Sequence, residues 1–234
     1  MRILSSIGVV LLLSALTAPA RAGTAEDCGQ DGDLDLKISA CTALIDSGER
    51  QGKDLAWAYY NRGFAYRKRG KFRRAIKDFG RTLKLDPGSV AAYNDRGIAY
   101  RNLGDPVQAI KNFDHAVQLD PEYAPSYNNR AWALYFWGKN SRALGDADRA
   151  LSLAPNIAAP IDTRAHILAA LGRRQEALAE FERAMQVGGA DQVRVYQEAL
   201  AEHGYYKGTV DGTFGPQVRA ALAACLDDEC RLLE

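Results

Sequence analysis

The side chains best able to do chemistry in this 234-residue chain are four cysteines and three histidines, and their placement argues against catalysis. His115, His166 and His203 are scattered, with no second His or Cys at metal-ligand spacing. Asp211-Gly212 would open a calcium loop only if alternating acids and a closing glutamate followed, and they do not. The sequence has no nucleophile elbow, phosphate loop or metalloprotease helix. The expectation is a protein that is not an enzyme and needs no cofactor or metal. What remains is recognition by hydrogen bonds, charge and aromatic area.

The cysteines take their meaning from the compartment. Met1-Arg2, the apolar run from Ile3 to Leu16 and Ala20-Arg21-Ala22 have the pattern of a secretory signal peptide over residues 1–22: a charged start, an apolar middle and a small-residue cleavage site. The run is shorter than the roughly 17–25 residues of a spanning helix. Cleavage after Ala22 would therefore leave a periplasmic or secreted product with no membrane span. In an exported chain an even cysteine count suggests disulfides, and four cysteines allow three connectivities. Local pairing, Cys28 with Cys41 and Cys225 with Cys230, is the expectation. One helix would set the second pair on different sides, so a helix must stop between them. Asp227-Asp228-Glu229 suits such a stop, because acids are unfavourable at a helix C-terminus.

The elements that position everything else are announced by a period. Gly63, Gly97, Ala131 and Ala165 stand 34 residues apart, as do Gly70, Gly104, Gly138 and Gly172, and Ala75, Ala109, Ala143 and Ala177. Such a period fits a helix–turn–helix unit written four times. Gly63 and Ala75 lie where two helices must approach closely; Gly70 lies in the turn, where the backbone needs glycine's freedom. Asp105-Pro106 reads as a helix start, and Asp86-Pro87, Asp120-Pro121 and Ala154-Pro155 as helix ends.

Tyr60-Asn61-Arg62-Gly63-Phe64-Ala65-Tyr66, Gly70, Ala75-Ile76, Phe79 and Leu85-Asp86-Pro87 resemble a tetratricopeptide repeat, and Tyr93 to Pro121 and Tyr127 to Pro155 repeat the pattern. Ile161 to Gly189 does so more loosely. The resemblance implies an all-α fold: a tetratricopeptide helix–turn–helix solenoid over residues 56–189. Stepping back by 34 from Gly63 and Ala75 gives Gly29 and Cys41, so residues 23–55 read as a degenerate leading repeat whose first helix is cut short by Asp31-Gly32-Asp33.

Proteins of this kind bind peptides or partner proteins in their concave face. Arg62, Arg96, Arg130 and Arg164 recur in every unit and so do a job every unit shares, which marks them as scaffold. The groove is expected on another stripe of the first helices, spaced three and four apart. Asn61, Phe64, Arg67, Asn94, Arg101, Asn128, Trp132 and Tyr135 are its candidate partner-binding residues. The stripe runs from basic and amide-bearing to aromatic, which suits an extended peptide with an acidic group and an apolar residue. Trp132, Tyr135 and Phe136 have a second reading, as a patch covered by the C-terminal segment.

The tail has its own pattern. Tyr196-Gln197, Leu200, Gly204-Tyr205, Gly208, Asp211-Gly212, Phe214-Gly215-Pro216, Arg219 and Ala221-Leu222 resemble the peptidoglycan-binding-like domain of exported wall proteins. The resemblance implies a small helical C-terminal domain over residues 190–234. Tyr205, Gly208, Asp211, Gly212, Phe214 and Gly215 are its candidate glycan-contact motif. The alternative is a cap that shields the apolar face of the last repeat.

Composition adds a bound. A net charge of +1, with 25% charged and 47% hydrophobic residues, suits an ordinary globular chain and speaks against a nucleic-acid partner. The functional expectation is an exported adaptor that holds a protein or peptide in its groove, with peptidoglycan as a second partner. The other candidate is a localisation subunit for a wall-processing enzyme.

Overall fold

The computed structural model describes residues 24–230 and 232, so the expected signal peptide lies outside the described residues. Eleven helices follow one another: α1 (Ala25–Gly29), α2 (Leu34–Asp46), α3 (Gly52–Lys68), α4 (Phe72–Leu85), α5 (Val90–Asn102), α6 (Pro106–Leu119), α7 (Ala124–Phe136), α8 (Asn140–Leu153), α9 (Ala158–Ala170), α10 (Arg174–Glu202) and α11 (Pro216–Asp227). The described residues are all-α, and each helix packs on the next in a stack of pairs, α3/α4, α5/α6, α7/α8 and α9/α10, with the short α1/α2 pair leading. First helices also touch first helices, α3 with α5, α5 with α7 and α7 with α9, so they line the inner face of the array.

The turns are set by glycine. Gly70, Gly104, Gly138 and Gly172 have φ between +69° and +76°, a left-handed conformation that a Cβ would strain. Around each, the backbone closes the same bond, such as Lys71 N–H to the Tyr66 carbonyl and Asp105 N–H to that of Tyr100. Asp105 caps α6 by accepting from the Gln108 N–H, with Pro106 as the first helical residue.

Within each unit, bulk on one helix is matched by smallness on the other. A Cβ built on Gly97 would lie 2.6 Å from the Phe113 ring, and one on Gly63 would lie 3.0 Å from that of Phe79. In the third unit the corresponding pair is Ala131 with Ala147, both fully buried. The approach is closest in the second unit; in the fourth, Ala165 stands at the glycine's rung with Phe181 at the ring's, both buried in one cluster, so the ring alone does not dictate glycine.

The recurring arginines bridge the helices. Arg62 holds Asp78 through two bonds of 2.7 and 3.0 Å, and Arg130 holds Asp146 through two of 2.7 Å. Both pairs run from first to second helix of a unit, and Arg130 also reaches back to Asp114 of the preceding unit at 2.6 Å. Arg164 makes the same double link, to Asp148 at 2.6 Å and Glu180 at 2.9 Å. Arg96 is the weak rung: it bonds the neutral Asn112, at 2.6 Å, and Gly80 stands where Arg130 and Arg164 find a backward carboxylate. Burial without a carboxylate pushes the Arg96 guanidinium below its usual value.

At the leading end the structure joins Cys28 to Cys41, tying the five-residue α1 to α2. Gly29 lies under the Trp57 indole, which seats this stub against α3. At the trailing end α10 is one helical run broken at Gly189, whose φ is +66°. Its second half packs with α11 around Val193, Tyr196, Leu200, Val218 and Leu222, and this core is continuous with Phe181 and Met185 of the fourth unit. After α11 the chain turns at Glu229 (φ +56°) and the Cys230 N–H bonds the Cys225 carbonyl, closing the second disulfide, Cys225–Cys230.

Candidate functional site

The inner face between α3, α5 and α7 carries a charge imbalance. Asp95, buried on α5, accepts from the Tyr60 hydroxyl at 2.9 Å and faces Arg67 at 3.5 Å. Burial nevertheless pushes its carboxyl above the usual range. Arg101 sits one unit beyond Arg67 and has no carboxylate partner among the described residues. Burial and the neighbouring Arg67 push its guanidinium below its usual value, the signature of a cation short of a counter-charge. The Nε of Arg67 is buried without a partner as well. Three cations, Lys37, Arg67 and Lys68, stand 5.0–5.6 Å from the centre of the Phe64 ring.

Beside this basic stretch lies an open cleft of about 720 Å³ lined by Arg101, Asn102, Pro106, Trp132 and Phe136. Trp132 stacks on Phe136 at 5.4 Å and meets Tyr135 edge-on at 5.4 Å. Phe136 is 54% exposed. The structure therefore brings Arg101 and Trp132 together, as charge beside aromatic area.

The asparagines of the stripe are placed differently. Asn61 is buried and donates to the Trp57 carbonyl of its own helix. Asn94 accepts from Ser126 and Asn129, so its amide links α5 to α7. Asn128 keeps a buried carbonyl oxygen with no partner. Two of the three amides thus act within the array. The tail reaches Tyr135 and Phe136 through Leu226, Glu229, Cys230 and Leu232, which share a second cleft with them, while Trp132 stays in the open one.

Deeper in the fourth unit is a cluster that the stripe does not include. His166, 6% exposed, is held between the Trp132 and Phe181 rings. Its Nε2 lies 3.9 Å from Asp162, and Asp162 accepts from the hydroxyl of Tyr196 on the second half of α10. Burial pushes the imidazole down and the Asp162 carboxyl up. Tyr196 stands 34 residues after Asp162, so the repeat spacing continued past Gly189 leads to this contact.

The motif residues of the tail are organised around one fully buried amide, Gln197. Its NH₂ donates to Asp211 at 2.9 Å and to the Tyr206 hydroxyl and Thr213 carbonyl, and its carbonyl accepts from the Gly212 N–H at 2.8 Å. Gly212 has φ +77°, and its hydrogen side faces the Ala190 backbone at 2.8 Å from where a Cβ would stand. Gly208 lies against the Tyr206 ring, Gly215 precedes α11, and Phe214 packs half-buried on the core. Tyr205 donates to Asp228 at 3.0 Å, tying the loop to the end of α11.

The tetratricopeptide repeat family model matches residues 56–89 and 90–123, the first two full helix pairs. The array is built of tetratricopeptide repeats. The two units that follow repeat the same helix pair, turn glycine and arginine bridge. A peptidoglycan binding domain model matches residues 189–225, beginning at the Gly189 break. Among solved structures, MamA is 22% identical over 67% of this chain and 90% of its own, with a TM-score of 0.59. A thermophilic tetratricopeptide protein of Thermus thermophilus is 21% identical over 65% of this chain and 82% of its own, with a TM-score of 0.55. The first tetratricopeptide domain of Spaghetti (RPAP3), solved with the HSP90 peptide SRMEEVD, is 27% identical over 53% of this chain and 98% of its own, with a TM-score of 0.50. No curated protein sequence matches the chain. Among the described residues no helix is long and apolar enough to cross a membrane, and no group of three acidic, His or Cys side chains is placed to hold a metal.

Proposed function

We propose that this chain is an exported adaptor, which binds a peptide segment of a partner protein on the inner face of its tetratricopeptide repeats and is brought to the cell wall by its C-terminal domain. The observation that carries the groove reading is Arg101: a half-buried cation without a counter-charge, opening with Trp132 and Phe136 onto a cleft of about 720 Å³. Leaving a charge in that state costs stability, and an acidic group on a ligand would relieve it. The RPAP3 domain, solved with the acidic peptide SRMEEVD, is similar in fold over 53% of this chain. Export is supported by the signal-peptide pattern and by two local disulfides, which persist in oxidising compartments.

Selection from a random peptide library on the protein lacking residues 1–22 tests the groove. Peptides bearing an acid beside an apolar residue should be enriched, and Arg101→Ala and Trp132→Ala should each weaken them. Enrichment indifferent to both variants would remove the groove as the binding site. N-terminal sequencing of the protein recovered from periplasm tests export, with Gly23 as the expected first residue.

The peptidoglycan-domain match favours a second reading, a localisation subunit of a wall-processing enzyme. On that reading an enzyme subunit occupies the groove, and co-sedimentation of the enzyme with wall sacculi should require this chain.

A further inference from the structure

The outer face of the first full unit carries charge that the groove does not use. Residues 68–85, which are α4 and the turn before it, hold eight Lys or Arg side chains and a single acid, Asp78, in a chain of net charge +1. Asp78 is buried and bonded to Arg62 and Arg81. At about 3.6 residues per turn, Arg73, Arg74, Lys77, Arg81 and Lys84 fall within an arc of about 100° and over about 17 Å of helix. The opposite side of α4 buries Ala75, Phe79, Thr82 and Leu83, and the helix packs on α3 and α5. Arg73, Lys77 and Lys84 are exposed and make no ion pair among the described residues. The pattern is not repeated: 34 residues on, the same rungs hold Val107, Gln108, Lys111, His115 and Gln118. A charged face that one unit carries alone does no job the units share.

We propose that this face of α4 docks the protein on an anionic lipid surface. No large hydrophobic side chain of α4 is exposed, so a protein interface here would lack the apolar anchors that carry affinity and would be rich in lysine, which interfaces avoid. Neither the open cleft nor the one beside the tail is lined by an α4 residue, so the face selects no shaped ligand. Long, unpaired cationic side chains along one helix suit a plane of phosphate headgroups. Nucleic acid, the other phosphate surface, is set aside by the export reading, on which the choice of lipid rests. The groove lies on the first helices, so it stays open to a peptide while the outer face is docked. At the trailing end Glu198, Glu202, Asp227 and Asp228 are exposed, and their charge turns the tail away from the same surface.

The test is co-sedimentation of the protein lacking residues 1–22 with vesicles of phosphatidylglycerol mixed into phosphatidylcholine, against vesicles of phosphatidylcholine alone. The protein should pellet with the anionic vesicles only. Raising the salt from about 0.1 M to about 1 M should release it, because the Debye length falls from about 10 Å to about 3 Å. The triple variant Arg73→Gln, Lys77→Gln, Lys84→Gln should bind at least about tenfold more weakly, and Lys77→Gln alone about threefold. Lys207→Gln on the tail and Arg101→Ala in the groove should bind as wild type does. The melting temperature is the fold control, and Lys77→Gln carries the test if the triple variant fails it. No pelleting with anionic vesicles, equal pelleting with neutral ones, or wild-type binding by the folded triple variant overturns the proposal. A loss in Lys207→Gln as large as in Lys77→Gln overturns it too, because net charge and not this face would then be at work. So does capture on duplex DNA or polyglutamate by a protein that leaves the vesicles in place.

Discussion

At the residue scale, two positions carry sharp consequences. Gly97 has no room for any side chain, because a Cβ would meet Phe113 at 2.6 Å inside a fully buried pair. Gly97→Leu should destabilise the protein by at least about 1–3 kcal/mol, the usual cost of overpacking. A melting temperature equal to wild type would refute the close approach. His166 gives a pH dependence. Its folded-state value is lowered by burial, so on acidification the unfolded chain takes up a proton before the native one does. The contribution is present above the usual value near 6.5 and declines as pH falls through that value. Asp162, raised by burial, acts in the opposite direction at more acidic pH, where the native state holds the proton longer. Denaturant melts at pH 7 and pH 6 should show lower stability at pH 6, and His166→Phe should flatten that difference. An unchanged slope would mean that burial does not separate the titration of this imidazole in the native and unfolded states.

At the element scale, the helix pairs are held by small–large packing and by the arginine bridges, and the second unit is the one whose arginine bonds no carboxylate among the described residues. Arg130 and Arg164 each grip a carboxylate from the preceding unit, Asp114 and Asp148, while Arg96 faces Gly80 at that rung. A Cβ on Gly80 would lie 4.0 Å from the nearest guanidinium nitrogen, with no clash. Gly80→Asp should therefore stabilise the array by about 1 kcal/mol, part from helix propensity and part from a half-exposed ion pair. Thermal melts of Gly80→Asp and Gly80→Ala separate the two contributions. Alanine is the better helix former by up to about 0.7 kcal/mol, so Gly80→Asp should melt at or above Gly80→Ala; if it melts lower by that full difference, the new carboxylate adds nothing.

At the scale of the whole molecule, the ends decide how the array behaves. Repeats bury their apolar faces only against neighbours, so the terminal ones need closing. The leading end uses a five-residue helix fixed by Cys28–Cys41, and removing that bond with paired Cys→Ser changes should cost about 3 kcal/mol by the chain-entropy account. The loss should appear as fraying confined to α1 and α2 in amide exchange. Uniform loss of protection across all units would contradict it. The trailing end is closed by a second domain whose core runs into that of the fourth unit, and Tyr196 donates across the junction to Asp162. The tail thus packs on the last repeat as a cap would.

How much of this was legible beforehand follows from which interactions are local. The 34-residue period gave the helix pairs, the turn glycines and the close approach at Gly97, because each is a backbone or packing requirement repeated at a fixed distance along the chain. The arginines could be read as scaffold for the same reason, though not their partners, which lie 16 residues away on another helix. The groove was legible as a stripe of residue types, and tertiary packing then divided it. Asn61 and Asn94 were drawn into the array because their amides sit beside buried acceptors and donors. Arg101 was left without a carboxylate partner among the described residues, while Asp95 took Arg67 and Tyr60. The second cleft had no sequence signature at all. Its walls come from the end of α7, the turn into α8, α9, α10, the end of α11 and the loop after it, segments that only the stacking of the array and the turn at Glu229 bring together.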